Sequence, residues 1–212
     1  MKQNPEINGV RTWIEVSRVA LKHNYDVFRS LIGKNKKLMA IVKSNAYGHD
    51  IFQFSAEMEK LGADWLGVDS IVEGVALRKA GIRIPILVLG YTLPEKFGEA
   101  AAHDITLTIS TLENLRALEK YQTPSVQYLK FHLKIDTGMH RQGFMLADLP
   151  AALSLLKAIS YKLKANLTGL YTHFAAAKNP AFPKETMKQT GQFERAIKLV
   201  EKYFPDQAKK MI

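Results

Sequence analysis

The chain has 212 residues, 47% of them hydrophobic and 24% charged, and carries a formal net charge of +10 at pH 7. This hydrophobic content suffices for a packed core and argues against disorder, and the absence of cysteine excludes disulfide bonds and thiolate chemistry. The apolar runs are far shorter than the roughly 20 residues that a bilayer span requires, and the first ten residues have no signal-peptide core. We therefore expect a soluble, cytoplasmic protein that does not enter a membrane.

The excess of positive charge is spread along the chain. Lysines are scattered over the predicted helices, and only Lys34, Lys36 and Lys37 cluster, in a predicted loop. The sequence contains no RNA-binding or zinc-finger pattern. Scattered charge mainly keeps a protein soluble, so we expect no nucleic-acid partner.

The predicted elements start with one strand and one helix and then alternate. Thr12–Val16 has the pattern of a strand, Ser17 is a suitable N-cap, and the helix that follows ends at Gly33. Six strand-like runs come next, at Leu38–Val42, Trp65–Val68, Ile84–Leu89, Ile105–Ile109, Leu129–Ile135 and Leu167–Tyr171. Helical patterns lie between and after them, at Ile51–Leu61, Ile71–Ala80, Pro94–His103, Leu112–Tyr121, Leu149–Ser160 and Thr186–Tyr203. We accordingly divide the chain into an amino-terminal strand and helix, residues 1–33, and an α/β region, residues 34–212.

This alternation predicts a parallel sheet. Repeated strand–helix units favour a TIM-type (β/α)8 barrel, with a doubly wound open sheet as the alternative. No GxGxxG follows a strand, which argues against a dinucleotide-binding fold. About six of eight strands are present, and Lys210–Ile212 come where a seventh would start. We therefore expect an incomplete barrel in a truncated chain.

In such a barrel the reacting groups lie at the carboxyl ends of the strands. Lys43 directly follows the apolar run Leu38–Val42 and precedes a predicted loop, Ser44–His49. Partial burial favours a neutral amine, the form that forms imines or abstracts protons. The alternative is a solvated lysine that ends a strand. Tyr47, four residues on, is close enough for its hydroxyl to reach a group held by Lys43, or else packs under the loop.

A second candidate region is LKIDTGMHRQG, Leu133–Gly143. Its turn is expected to direct Arg141 to the carboxyl-terminal rim, where a guanidinium can bind a carboxylate or phenolate. The alternative is a surface arginine paired with Asp136 or Asp148. Lys134 alternates with apolar neighbours and is expected to point inward, near Arg141, or to pair with Asp136.

A third region, GLYTHF at Gly169–Phe174, places His173 after the sixth strand, facing the rim. A single histidine is more often structural than functional. The other histidines show no metal-ligand spacing and the chain has no HExxH motif, so we expect no metal site.

The segments VKSNAYGH (residues 42–49) and KxDTGMxRxG (residues 134–143) closely resemble the motifs of the alanine racemase family, fold-type-III enzymes that use pyridoxal 5'-phosphate. The resemblance extends from Thr12 to the end of the chain. It implies that Lys43 holds the cofactor and serves as acid or base, and that Tyr47 hydrogen-bonds the cofactor phosphate. It further implies that Arg141 contacts the phenolic oxygen and the substrate.

The same resemblance implies that His173 packs beside the pyridine ring and that Lys134 is carbamylated and holds Arg141. The implied reaction interconverts L-alanine and D-alanine and so supplies D-alanine for cell-wall peptidoglycan. The complete protein would be a homodimer, in which a tyrosine of the partner's carboxy-terminal domain acts as second base. These 212 residues alone are expected to be inactive.

Two other interpretations stay open. The first is a non-catalytic, single-domain barrel that binds pyridoxal phosphate. The second is an inert fragment that assembles with a separate carboxy-terminal chain. The sequence does not distinguish alanine from serine or another small amino acid as the substrate.

Overall fold

The computed structural model describes residues 9, 11–120, 128–160, 166–179, 181, 183–209 and 211. Six strands pair in parallel in chain order, as the alternating pattern predicts. They are β1 (Met39–Ile41), β2 (Trp65–Val68), β3 (Ile86–Val88), β4 (Ile105–Ile109), β5 (Lys130–Asp136) and β7 (Asn166–Tyr171). A short strand, β6 (Phe144–Met145), pairs with the carboxyl end of β5.

Helices connect the strands. Most coincide with the predicted ones: α1 (Arg18–Ile32), α3 (Ile51–Leu61), α4 (Ile71–Lys79), α5 (Phe97–Ala102, after a 3₁₀ turn at Pro94–Lys96), α6 (Leu112–Lys120), α7 (Leu149–Ser160) and α8 (Pro183–Tyr203). Three short elements were not predicted: the strand β6, a helical turn α2 (Lys43–Tyr47) and the helix α9 (Pro205–Ala208). Tyr121, the predicted end of the sixth helix, lies outside the described residues.

The predicted strand at Thr12–Val16 is wrong. These residues form no strand in the structure, and Trp13 and Ile14 are exposed. A strand exists only when its backbone groups pair with a neighbour, and no described segment pairs with this one. The chain becomes regular at Ser17, whose hydroxyl accepts a hydrogen bond from the Ala20 amide, as predicted for the N-cap of α1.

An ion pair fixes α1 to the sheet. Arg29 donates to the Asp64 carboxylate at 2.7 Å and to the carbonyl of Lys36 at 2.8 Å. Asp64 also accepts a hydrogen bond from the amide of Leu38, which leads into β1. Burial opposes ionisation of Asp64, but these hydrogen bonds outweigh it and hold the pKa of Asp64 below its ordinary value. Apolar contacts assist, because Leu21 and Tyr25 of α1 belong to the buried core.

The sheet curls into part of a barrel. Strands β2 and β5 are separated by two strands, which in a flat sheet places them roughly 14 Å apart. Nevertheless the rings of Trp65 on β2 and His132 on β5 lie with their centroids 5.3 Å apart. Tyr171 on β7 reaches Thr108 on β4 at 2.8 Å. Side chains can meet across this many strands only inside a curved sheet, which excludes the doubly wound alternative.

The curled sheet has two free edges within the described part of the chain. There, β1 pairs only with β2, and β7 pairs only with β5. Ile41 on β1 is 39% exposed although it sits in a sheet strand. Six consecutive strands with two free edges correspond to an incomplete eight-stranded barrel.

Two of the predicted absences can be compared with the described residues. None of the helices there combines the length and the hydrophobicity needed to cross a bilayer. The same residues contain no group of three or more His, Cys, Asp or Glu side chains arranged to hold a metal ion.

Two glycines with different surroundings predict opposite effects of substitution by alanine. A Cβ on Gly169 would lie 2.5 Å from Nε2 of the buried His132 ring, so Gly169→Ala should destabilise the fold by about 1–3 kcal/mol. A Cβ on Gly191, inside α8, meets nothing within 4 Å, so Gly191→Ala should stabilise by about 0.5–1 kcal/mol. Urea unfolding of both variants measures the difference, and equal effects would contradict the packing described.

His132 also predicts how stability depends on pH. Burial lowers its pKa to about 4, and Nε2 has no hydrogen-bond partner among the described residues. Between about pH 6.5 and pH 4 the unfolded chain therefore binds a proton that the folded chain does not, and folding stability falls as the pH falls, by roughly 2–3 kcal/mol. Urea unfolding at a series of pH values measures this loss. In His132→Leu the loss of folding stability between pH 6.5 and pH 4 should be smaller by about 2–3 kcal/mol. A pH dependence of stability equal to that of the unsubstituted protein would contradict the low pKa of His132.

Candidate active site

The segment after β1 is a left-handed helical turn, where the sequence suggested a loop. Ser44, Asn45, Ala46 and Tyr47 have φ angles of 55°, 56°, 53° and 55°. Left-handed helix costs non-glycine residues roughly 1–2 kcal/mol each. Such strain persists only where the surrounding structure enforces it, and it occurs preferentially at functional sites. This turn therefore marks the end of β1 as a candidate site.

Hydrogen bonds from outside hold the turn. Asn45 accepts from the amide of Ile51 at 2.9 Å, which ties the turn to the start of α3. Glu73 on α4 accepts from the amides of Ser44 and Asp69, both at 2.7 Å. One carboxylate thus joins the segments that follow β1 and β2. Sequence reasoning missed Glu73, although its spacing from Ser70 matches a helix capping box, which the structure contains.

Lys43 lies at the start of this turn, at the carboxyl end of β1. Its Nζ is 3.3 Å from Oδ1 of Asp69, and its side chain is 35% exposed. The amine is therefore neither buried in the core nor freely solvated. Asp69 was also missed, although it follows the buried strand β2 as Lys43 follows β1.

Lys134 lies on the inner face of β5, as its alternation with apolar neighbours predicted. It is 5% exposed, and its Nζ is 5.5 Å from the centre of the Tyr171 ring. Burial lowers the pKa of Lys134, and the positive charges of Arg141 and Lys43 lower it further. The suggested pairing of Lys134 with Asp136 is not what the structure shows.

The amine of Lys134 instead donates to Oε1 of Gln142 at 2.9 Å. Oδ1 of Asp136 accepts from the backbone amides of Gly138 and His140, which shape the turn after β5. Sequence reasoning overlooked Gln142, whose position inside the family motif was its only signal.

Arg141 and His173 lie at the same rim. The described residues provide no ion pair for Arg141, so the alternative of a surface arginine paired with Asp136 or Asp148 is not supported. Burial lowers the pKa of His173, and nearby positive charges lower it further, in the order Arg141, Lys134, Lys43 and Lys178. Arg141, Lys134 and His173 line one narrow cleft, whose other lining residues are Ile135, Asp136, Met139 and Gln142.

The structure does not place Tyr47 in this cluster. Its side chain is 62% exposed, and its hydroxyl forms no hydrogen bond with the described residues. The alternative of an aromatic ring packed beneath the loop is wrong for the same reason. Tyr47 is the last residue of the strained turn that begins at Lys43.

Two further polar residues hold the rim together. Gln189 on α8 donates to Thr137 Oγ1 at 3.0 Å and to the carbonyl of His173 at 3.2 Å, and so ties the segments after β5 and β7. Tyr171 bonds Thr108 inside the barrel, and burial raises the pKa of Tyr171 to about 12. Local sequence patterns do not indicate the contacts of Gln189, because they join residues far apart in the chain.

The electrostatic character of the rim follows from these residues. Lys43, Lys134 and Arg141 bring three basic groups to one end of the barrel, with His173 beside them. Asp69, Glu73 and Asp136 are nearby acidic groups, and backbone amides engage both Glu73 and Asp136. This arrangement suits an anionic ligand that also presents a group for an amine to attack.

Comparison with known proteins identifies the family. Residues 16–210 match the family described as "Alanine racemase, N-terminal domain". The chain is 36% identical over 196 residues to alanine racemase 1 of Caldanaerobacter subterraneus subsp. tengcongensis, a match that covers 92% of this chain and 49% of the relative.

Solved structures give the same result. The crystal structure of alanine racemase from Bacillus anthracis with bound L-Ala-P superimposes with a TM-score of 0.85 at 32% identity, covering 93% of this chain and 50% of that one. Histidine racemase from Leuconostoc mesenteroides superimposes with a TM-score of 0.78 at 31% identity, covering 85% and 48%. The chain spans about half the length of the curated relatives it matches. With its incomplete parallel barrel and lysine-bearing rim, the chain belongs to the alanine racemase family, whose N-terminal domain it matches.

Proposed function

We propose that these residues form the cofactor-binding half of a pyridoxal-phosphate-dependent alanine racemase. The observation that carries the proposal is the position of Lys43 at the carboxyl end of β1, with its Nζ 3.3 Å from Asp69. This is the same end of the parallel sheet as the cleft lined by Lys134, Arg141 and His173. The cofactor has an aldehyde, a phenolic oxygen and a phosphate, so it needs an accessible amine and cationic hydrogen-bond donors. The residues at this rim fit those needs.

In this proposal each predicted residue has one role. Lys43 holds the cofactor, Arg141 donates to its phenolic oxygen and to the substrate, and His173 packs against its ring. Tyr47 donates to the phosphate; its exposed position beside Lys43 is compatible with that role. Lys134 is the candidate for carbamylation, because burial beside Arg141 favours a neutral amine or an anion over an ammonium ion.

When bound, pyridoxal phosphate supplies an electron sink that makes the α-proton of an amino acid acidic. This chain contributes proton transfer and orientation. The Lys43 amine moves a proton to or from one face of the substrate α-carbon. Asp69, 3.3 Å from that amine, orients it, and Glu73 orders the segments that carry Lys43 and Asp69. A tyrosine of a partner subunit would serve the opposite face.

Several features of the complete protein belong to the same proposal. The substrate is alanine, as the names of the relatives indicate. Its product D-alanine serves cell-wall peptidoglycan, as the family resemblance implies. The histidine racemase among the structural neighbours shows that this fold also accompanies a larger substrate. We propose a cytoplasmic homodimer without a nucleic-acid partner. Within each chain, residues 34–212 are the cofactor-binding part and residues 1–33 an amino-terminal extension.

The role of Lys43 is tested by cofactor labelling. We expect pyridoxal phosphate added to the protein and reduced with borohydride to mark the peptide that contains Lys43. Lys43→Ala should lose both the visible absorbance of the bound cofactor and the label, because Lys43 begins the strained turn, whereas Lys134 is only 5% exposed. The matched control, Lys60→Ala, removes an exposed lysine on α3 and should leave labelling unchanged. Equal labelling of Lys43→Ala would contradict the assignment.

Activity of the 212 residues alone provides a second test. We expect racemisation of alanine to be about 100-fold or more below that of a complete relative, because one positioned acid–base group contributes at least that factor. D-Alanine formation measures the rate. Adding the carboxy-terminal half of the Caldanaerobacter relative as a separate chain should raise it. Relative-like activity of the 212 residues alone would contradict this, whereas cofactor binding without any such gain would favour a non-catalytic barrel.

A further inference from the structure

Gln142 bridges two buried polar side chains at the rim. Its Oε1 accepts a hydrogen bond from Lys134 at 2.9 Å, and its Nε2 donates to Ser110 Oγ at 3.2 Å. Ser110 follows β4 and is 4% exposed, and Lys134 on β5 is 5% exposed. One amide therefore links the ends of two neighbouring strands and engages the head group of the buried lysine.

The charges around the buried Lys134 amine explain why its hydrogen bond to the Gln142 amide matters. The groups that face the amine are the positive charges of Arg141 and Lys43, the imidazole of His173, the ring of Tyr171 and the carboxylate of Asp136. Asp136 is the only acid among them, and its Oδ1 serves the turn after β5. In this part of the structure, Gln142 provides the hydrogen bond that compensates a buried amine for its lost water.

We propose that Gln142, anchored by Ser110, is a positioning residue that holds the head group of Lys134 and adapts to its chemical form. A primary amide can present either a carbonyl or an N–H group. In the present orientation it accepts from the amine.

The amide can serve the modified lysine equally well. Carbamylation joins the neutral amine to carbon dioxide, R–NH₂ + CO₂ → R–NH–COO⁻ + H⁺, and turns a donor into an anionic acceptor. Rotation of the amide by half a turn then presents Nε2 to the carbamate, and the Ser110 hydroxyl donates to Oε1. The role of Gln142 toward a carbamylated Lys134 rests on the proposed function, whereas its hydrogen bond to the unmodified amine does not.

Two substitutions separate the roles of the amide. Gln142→Leu removes both the acceptor and the donor. Gln142→Glu keeps an acceptor, adds a negative charge and cannot donate. We expect the pKa of Lys134 to fall in Gln142→Leu and to rise in Gln142→Glu, because an acceptor and a negative charge both favour the ammonium form. General loss of packing would not shift the two in opposite directions.

The measurement is the pH profile of acetylation of Lys134 by acetic anhydride, followed by mass spectrometry, in the protein without cofactor or substrate. A shift of about one pH unit changes the labelling rate about tenfold at fixed pH. The exposed Lys60 serves as internal reference in every sample, and Gln53→Leu, an exposed glutamine on α3, is the matched control. Ser110→Ala tests the anchor and should shift the profile in the direction of Gln142→Leu. If Gln142→Leu does not fold, Ser110→Ala still tests the role of the amide.

Unchanged profiles, or shifts of both Gln142 variants in one direction, would overturn the positioning role. Carbon-13 NMR with labelled bicarbonate tests the role of Gln142 toward the carbamylated lysine. We expect the carbamate signal to fall about tenfold in Gln142→Glu. Equal carbamate in that variant and in the unsubstituted protein would overturn the adaptation to the modified lysine. Absence of carbamate from both would overturn carbamylation itself, while the labelling profiles still decide the contact with the amine.

Discussion

The parallel direction of the strands is the constraint on which the rest of this structure depends. Because the strands run the same way around a curved sheet, all their carboxyl ends lie at one rim. Lys43, Lys134 and His173 are far apart in the chain, yet they lie close enough for their charges to affect one another. The inner contacts of Trp65 with His132 and of Tyr171 with Thr108 show how strongly the sheet curls to bring this about.

Concentrating positive charge at one rim has an electrostatic consequence. Like charges near a buried amine oppose its protonation, and burial adds to that effect. The basic groups have different partners: Lys43 lies beside the carboxylate of Asp69, and Lys134 donates a hydrogen bond to the amide of Gln142. Arg141 makes no ion pair with the described residues and stays free to meet an anion. In the proposed function, this unequal pairing leaves Arg141 available to a ligand.

The strained turn after β1 positions Lys43. Four consecutive non-glycine residues adopt left-handed conformations there, and Asn45 and Glu73 hold them in place. A turn that adopts this shape only under external hydrogen bonds depends on the barrel being folded. The position of the Lys43 amine is therefore tied to the packing of α3 and α4 against the sheet.

The sequence by itself determined the order of strands and helices, the identity of the family motifs and the candidates Lys43, Lys134, Arg141 and His173. These follow from local signals, namely hydrophobic periodicity, caps and residues placed directly after apolar runs. It wrongly made Thr12–Val16 a strand, since strand formation requires a partner that local pattern does not reveal. Only the tertiary structure decided that Glu73, Asp69, Gln142 and Gln189 hold the site and that Tyr47 stands apart from the cluster. Those contacts join segments distant in the chain, and their geometry exists only once the parallel sheet has curled and brought its carboxyl ends together.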